Sequence, residues 1–374
     1  MSLTSLAYES QHSLRQWLVG RWYAHKRRSG ASTLDEEWKP HRVLLVLDGL
    51  MGDSVMCTPL LASMRLAWPR AHVTLLGRRH NRELLAACPH IDAFHTVSAD
   101  PYAIRYRRQV RGLRRWIASQ SFDLAVIALG DQFASAIAAA QVPVRVGVKG
   151  HFLEACLTHH YDIGVARTWG PDERLNALRC LGVRPLDPSP NLWVSDPARA
   201  TARVKLAGLG MRAGTSYAVL HPFGSTRRQW WPPERVSELS RVLVDRWDLD
   251  VVLVGGPETK GHALLDMTRG FDATGALSVS ELVAVLSDAS LVISTDSGPF
   301  HVAGALGKPL VGLFRASRQE HAGRYPSASV LFGEDGDCDV ACRWDQCRGV
   351  PCRQMSRLTI EDIARAASRI HRAA

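Results

Sequence analysis

No apolar run in this sequence approaches the roughly 20 residues that a membrane-spanning helix needs, which excludes an integral helical membrane protein. The N-terminus has neither the apolar core nor the small-residue cleavage site of a secretory signal, so the cytoplasm is the expected compartment. No G-x-G-x-x-G follows a strand-like run, which argues against a nicotinamide dehydrogenase. There is no short internal repeat. Acidic residues are in deficit: 46 Lys and Arg face 36 Asp and Glu, a formal charge of +10. That excess points to an anionic partner, whether nucleotide, phosphorylated glycolipid, acidic membrane surface or nucleic acid, without choosing among them.

What is present suits a globular protein. The 374 residues, 46% hydrophobic and 22% charged, are enough for two domains with sizeable cores. Cys57, Cys88, Cys156 and Cys180 stand singly in apolar contexts and read as reduced core residues. Cys338, Cys342, Cys347 and Cys352 form a C-x3-C-x4-C-x4-C cluster. Four thiolates could hold structural zinc or iron, though the spacing is not C-x2-C twice, and free thiols are the alternative.

Residues 1–40 read as a separate extension. Leu14, Trp17, Leu18, Trp22 and Tyr23 fall near helical spacing among Arg15, Arg21, Lys26, Arg27 and Arg28. Such a helix either lies on an anionic membrane surface or packs on the protein's own body. From Arg42 onward, apolar strands (RVLLVL, HVTLLG, FHTV, FDLAVIAL, RVGV) alternate with helical stretches (TPLLASMR, NRELLAAC, VRGLRRWIAS, QFASAIAAAQ). RVGV reads as the last strand of this set. Continuous apolar strands imply a parallel sheet covered on both faces.

The Pro-rich segment 184–192 reads as a linker, separating a first domain at 41–183 from a second at 193–358. The second holds strands SYAVLHP, DVVLVGG, LVIS and PLVGLF, with helices PERVSELSRVLVDRW, ALLDMTRG, VSELVAVLSDA and HVAGALG. A terminal helix occupies 359–374, with Thr359 and Asp362 at capping-box spacing. The expected class is α/β, two doubly wound Rossmann-like domains facing across a cleft, with ligand at the C-terminal strand ends. Arg105, Arg107, Arg108, Arg111, Arg114 and Arg115 read as either a solvated helical face or a contact for a phosphorylated acceptor or anionic lipid.

Four loops at strand ends concentrate polar groups. In Asp48-Gly-Leu-Met-Gly-Asp53, Gly49 and Gly52 free the backbone, and Asp53 either caps a helix or serves as a general base. In the loop after His221, Ser225, Thr226, Arg227 and Arg228 form a phosphate cradle or a solvated basic loop. Glu258, after Gly255-Gly256, either accepts from a ribose or caps. In Thr295-Asp296-Ser297-Gly298-Pro299, unpaired N–H groups at a helix start suit a diphosphate, the alternative being a cap from Asp296 or Ser297. His301 lies one turn further on.

With GLMGD and TPLL, HPFGS and WPPERVSEL, GGPE, and STDSGPFHVAGALGKPLVGLF in this order, the chain resembles glycosyltransferase family 9, the ADP-heptose heptosyltransferases, from about Arg42 to its end. The resemblance implies a GT-B fold and inverting transfer from ADP-L-glycero-D-manno-heptose to an acceptor hydroxyl, in the lipopolysaccharide inner core or on a protein such as an autotransporter. It implies Asp53 as the base, Asp296, Ser297, Gly298 and His301 as the diphosphate- and sugar-binding motif, Glu258 as the ribose contact, and Gly224 and Ser225 as the phosphate loop. The chemistry requires no cofactor, nucleic acid is not an expected partner, and the expected location is cytoplasmic, peripheral to the inner membrane. A non-catalytic anion- or nucleic-acid-binding protein on the same scaffold is the competing class. One departure stands out. Family members usually carry lysine two residues before the Trp-Pro pair, where it neutralises the diphosphate; here that position is Gln229, so Arg227 or Arg228 is expected to substitute.

Overall fold

The computed structural model describes residues 38–97, 107–150, 153–163, 170–262, 268–315, 322–334, 338 and 352–371. The amphipathic N-terminal stretch, Arg105, Cys342 and Cys347 lie outside the described residues. The chain forms two compact units. The first comprises Met1–Leu50, Met56–Arg82 and Cys88–Pro188; the second comprises Met51–Val55, Glu83–Ala87 and Ser189–Ala374.

The first unit is built on a six-stranded sheet: β1 (Arg42–Leu47), β2 (His72–Gly77), β3 (Ala93–Thr96), β4 (Leu124–Leu129), β5 (Val144–Val148) and β6 (His159–Tyr161). The first two helices among the described residues are α1 (Met51–Val55), which belongs to the second unit, and α2 (Thr58–Ala67). Then come α3 (Arg79–Leu84), α4 (Arg107–Ser119), α5 (Ala134–Ala139) and α6 (Gly170–Arg179). The sheet order is β3-β2-β1-β4-β5-β6 and every pairing is parallel. Val43 to Leu47 of β1 are fully buried, as expected where helices cover both faces.

The second unit carries β7 (Tyr217–His221), β8 (Asp250–Leu253), β9 (Gly270–Asp272), β10 (Leu291–Thr295), β11 (Leu310–Arg315) and β12 (Ala328–Gly333). Its remaining helices are α7 (Asp196–Gly208), α8 (Val236–Trp247), α9 (Val279–Asp288), α10 (Gly298–Ala305), α11 (Arg353–Arg357) and α12 (Ile360–His371). Its sheet, β12-β11-β10-β7-β8-β9, is again wholly parallel. Relative to its own first strand it repeats the order of the first sheet. Both orders reverse direction once, between β1 and β4 and between β7 and β10, the topological switch points where open α/β sheets bind ligands. The two sheets bear out the α/β Rossmann-like reading.

Several details differ from the sequence reading. RVGV is followed by a further strand, β6. The end of ALLDMTRG is not helical: Thr268 and Arg269 lie in a turn and Gly270 opens β9. Residues 263–267 of that stretch lie outside the described residues. The capping box at the last helix forms: the Thr359 hydroxyl donates to Asp362 Oδ2 at 2.5 Å, and the Asp362 amide donates back at 3.2 Å. On α4, Leu113 and Ile117 are buried while Arg111, Arg114 and Arg115 are exposed. Cys57, Cys88 and Cys156 are buried free thiols and Cys180 is half-buried; burial pushes the Cys156 thiol up to about 12. Among the described residues no helix is long and apolar enough to cross a membrane.

Candidate active site

β7 and β10 are neighbours at the switch point of the second sheet, with His221 opposite Ser294 in register. The two loops that leave their C-terminal ends are therefore adjacent by topology: Pro222 to Trp231 after β7, and Asp296-Ser297 after β10. Their contacts tie them together. The Thr295 hydroxyl donates to the Phe223 carbonyl. Ser297 Oγ lies 3.1 Å from His221 Nδ1 and 3.1 Å from Ser294 Oγ, and donates within 3.0 Å of the Thr295 carbonyl. His221 is 8% exposed, and burial lowers its imidazole to about 4, so it is neutral at pH 7.

Gln229 is buried between these loops. Its Oε1 accepts from the Ser225 hydroxyl at 2.8 Å and the Thr226 amide at 3.1 Å, while its Nε2 donates to the Asp296 carbonyl at 3.4 Å. Gly224 is required beneath it, since a Cβ there would sit 2.4 Å from Gln229 Cβ. Ser225, Thr226 and Arg227 are exposed, and Arg228 is half-buried. The Arg227 guanidinium lies over the Trp230 ring, 5.1 Å from its centroid, and donates to His262 Nε2 at 3.1 Å.

Asp296, Ser297 and Gly298 are half-buried at the start of α10. Ser297 holds the capping position, but its hydroxyl makes no capping bond, being engaged by His221, Ser294 and Thr295. Of the alternative caps, Asp296 or Ser297, the one by Ser297 does not form. The Ser297 hydroxyl therefore does not satisfy the first amides of α10.

The short helix α1 packs on α10. A Cβ on Gly52 would approach His301 Cδ2 to 2.7 Å, and one on Gly298 would approach Met51 Sδ to 2.9 Å. His301 is buried, with Nδ1 3.1 Å from the Tyr325 hydroxyl. Asp53 lies in the first turn of α1 and is half-buried. It caps no neighbouring helix, for Cys57 occupies the capping position of α2. Among the described residues its carboxylate makes no hydrogen bond or ion pair. The structure thus brings Asp53's helix onto the start of the Asp296–His301 motif.

Gly49 belongs to the first unit, where its carbonyl accepts from His80 at 2.8 Å and from Asn81 at 3.0 Å. Beside it, the 2%-exposed Asp48 carboxylate is held by Arg78 and by Gln132 at 2.6 Å. Glu258 sits exposed on the turn Pro257–Thr259 with its carboxylate folded over Gly256. Sequence reasoning did not find the roles of His221 and Tyr325. The signal for His221 was its place as the last residue of a strand at the switch point.

Cys338 is half-buried, and Cys352 is buried in the apolar core with Met355 and Leu358. Among the described residues no three His, Cys, Asp or Glu side chains gather as a metal site.

Comparison with known proteins gives the frame for this geometry. The profile of Glycosyltransferase family 9 (heptosyltransferase) matches residues 110–348. Lipopolysaccharide heptosyltransferase 3 of Escherichia coli (strain K12) is 25% identical over 281 residues, covering 71% of this chain and 80% of that protein. Among solved structures, a glycosyl transferase family 9 protein from Veillonella parvula DSM 2008 matches with a TM-score of 0.74 at 20% identity, over 92% of this chain and 100% of that one. The E. coli ADP-heptose lps heptosyltransferase II matches with a TM-score of 0.73 at 18% identity, over 89% of this chain and 99% of that one. The fold is of the GT-B class, and the chain belongs to glycosyltransferase family 9 (heptosyltransferase) as a glycosyltransferase.

Proposed function

We propose that this enzyme transfers heptose from ADP-L-glycero-D-manno-heptose to an acceptor hydroxyl of the lipopolysaccharide inner core, with inversion, working at the cytoplasmic periphery of the inner membrane. The observation that carries the reading is the packing of α1 on α10, with Gly52 against His301 and Met51 against Gly298. It supports a carboxylate base next to a helix start suited to a diphosphate. In this reading Asp53 takes the acceptor proton as that oxygen attacks the anomeric carbon. The bond to the diphosphate breaks in the same displacement, which inverts the configuration. The departing ADP gains negative charge, stabilised by the first amides of α10 and by Arg227 or Arg228. Gly224, Ser225 and Thr226 cradle phosphate, Glu258 accepts from the ribose, Gly49 shapes the acceptor-side loop, and Ser297 and His301 complete the donor site.

Incubation with ADP-L-glycero-D-manno-heptose and a lipopolysaccharide core acceptor, followed by mass analysis, tests this directly. A product heavier by one heptose is expected. No heptose on that acceptor, with transfer to a protein instead, would overturn the acceptor assignment. Cys338, Cys342, Cys347 and Cys352 are proposed to hold a structural zinc or iron, their four thiolates being a suitable donor set. Elemental analysis of the purified chain should give about one metal per chain, and a metal-free protein of full stability would contradict it.

A further inference from the structure

Where its family usually places a cation, this chain has a neutral amide, and the contacts of that amide say what it does. Gln229 is 4% exposed and uses both ends of its side chain. The oxygen gathers Ser225 Oγ and the Thr226 amide, with Thr226 Oγ1 at 3.3 Å, and the nitrogen reaches the backbone carbonyl of Asp296. Four groups from two different loops meet on one side chain. The fit is close, because only glycine at 224 leaves room for the Gln229 Cβ. A lysine ammonium has three donors and no acceptor, so it cannot hold Ser225 and Thr226 as the amide oxygen does.

We propose that Gln229 is a positioning residue of the donor site, a neutral tie that occupies the Ser225 hydroxyl and the Thr226 amide and fixes their loop against the Asp296 turn, so that both loops are held in place around one diphosphate. The proposal rests on the donor reading above. It follows that the cationic contribution to ADP comes from elsewhere, and that lysine at 229 harms the site rather than restoring it. Gln229 stays off the reacting atoms. Its removal therefore costs donor affinity and leaves the acceptor untouched.

The test uses the full chain with ADP as probe, in Gln229→Met, which keeps the volume and deletes both hydrogen-bonding ends, and in Gln229→Lys. For the methionine variant, loss of the tie is expected to weaken ADP binding and raise the donor KM by about tenfold, the effect of roughly one to two net hydrogen bonds. Acceptor KM and kcat should stay within about twofold, because uniform binding is what is lost. A merely structural role would instead lower the folded, active fraction, and so kcat, with donor KM unchanged. Gln229→Lys should bind ADP more weakly than the unsubstituted chain. If methionine prevents folding, Gln229→Glu, which keeps the acceptor and loses the donor to Asp296, should also weaken ADP. Unchanged ADP affinity in Gln229→Met, or tighter binding in Gln229→Lys, overturns the proposal. An unsubstituted chain that does not bind ADP overturns the donor reading itself, a separate result.

Discussion

His221 shows how far a single burial can set the behaviour of this site. Its imidazole ends a buried strand, touches Ser297 and is held near 4, against about 6.5 in an unfolded chain. Between those values the unfolded chain binds a proton that the folded one refuses. The associated stability is therefore complete above pH 6.5 and is lost as the pH falls toward 4, by about 3 kcal/mol in all. Burial also lowers His90, His95 and His159, so the trend is shared. Comparing denaturant unfolding of the unsubstituted chain with Gln at 221 isolates the part due to His221. The His221→Gln variant should lose less stability between pH 7 and 5 than the parent. Identical slopes would show that His221 does not titrate as described.

At the level of elements, the contact between α1 and α10 is made by small residues. Gly52 lets the backbone of α1 lie on the His301 ring, and any side chain there must push the two apart. Gly52→Ala is expected to cost about 1–3 kcal/mol as an overpacking substitution and to reduce transfer more than it reduces the thermal midpoint would suggest, because it shifts Asp53. Turnover at full occupancy of the folded state checks it; unchanged kcat would separate this contact from catalysis. The strands that line the switch points were legible because their apolar runs are long: RVLLVL, LAVIAL, YAVLH and LVIST all formed where periodicity put them. Of the strands missed in the sequence, β12 (ASVLFG) carries an apolar run that was passed over, whereas two others had little apolar signal. β6 is His-His-Tyr and β9 is Gly-Phe-Asp, and both take their place from neighbours rather than from their own residues. α7 escaped notice because its buried face is Ala198, Ala202 and Leu206, too small a stripe to stand out. Gly52 of the GLMGD loop was read as freeing the backbone; its close contact with His301 was not read from the sequence. Nothing in the spacing of Gln229 told of its link to Asp296, which exists only once two strands are brought side by side.

For the whole molecule, two sheets with the same strand order argue that the chain uses one architecture twice, each with a switch point of its own. The second holds His221, Gln229, Asp296 and His301 together through contacts within a single unit, and that unit also takes in Met51–Val55. The proposed transfer therefore depends on one carboxylate, Asp53, whose helix packs beside the turn proposed to hold the donor. Its most direct test is Asp53→Ala, measured twice on the same preparation: ADP affinity by calorimetry and heptose transfer by product mass. ADP binding should stay within about twofold while transfer falls by at least about 100-fold, as expected for loss of a general base that does not hold the donor. Transfer at the rate of the unsubstituted chain would contradict the account.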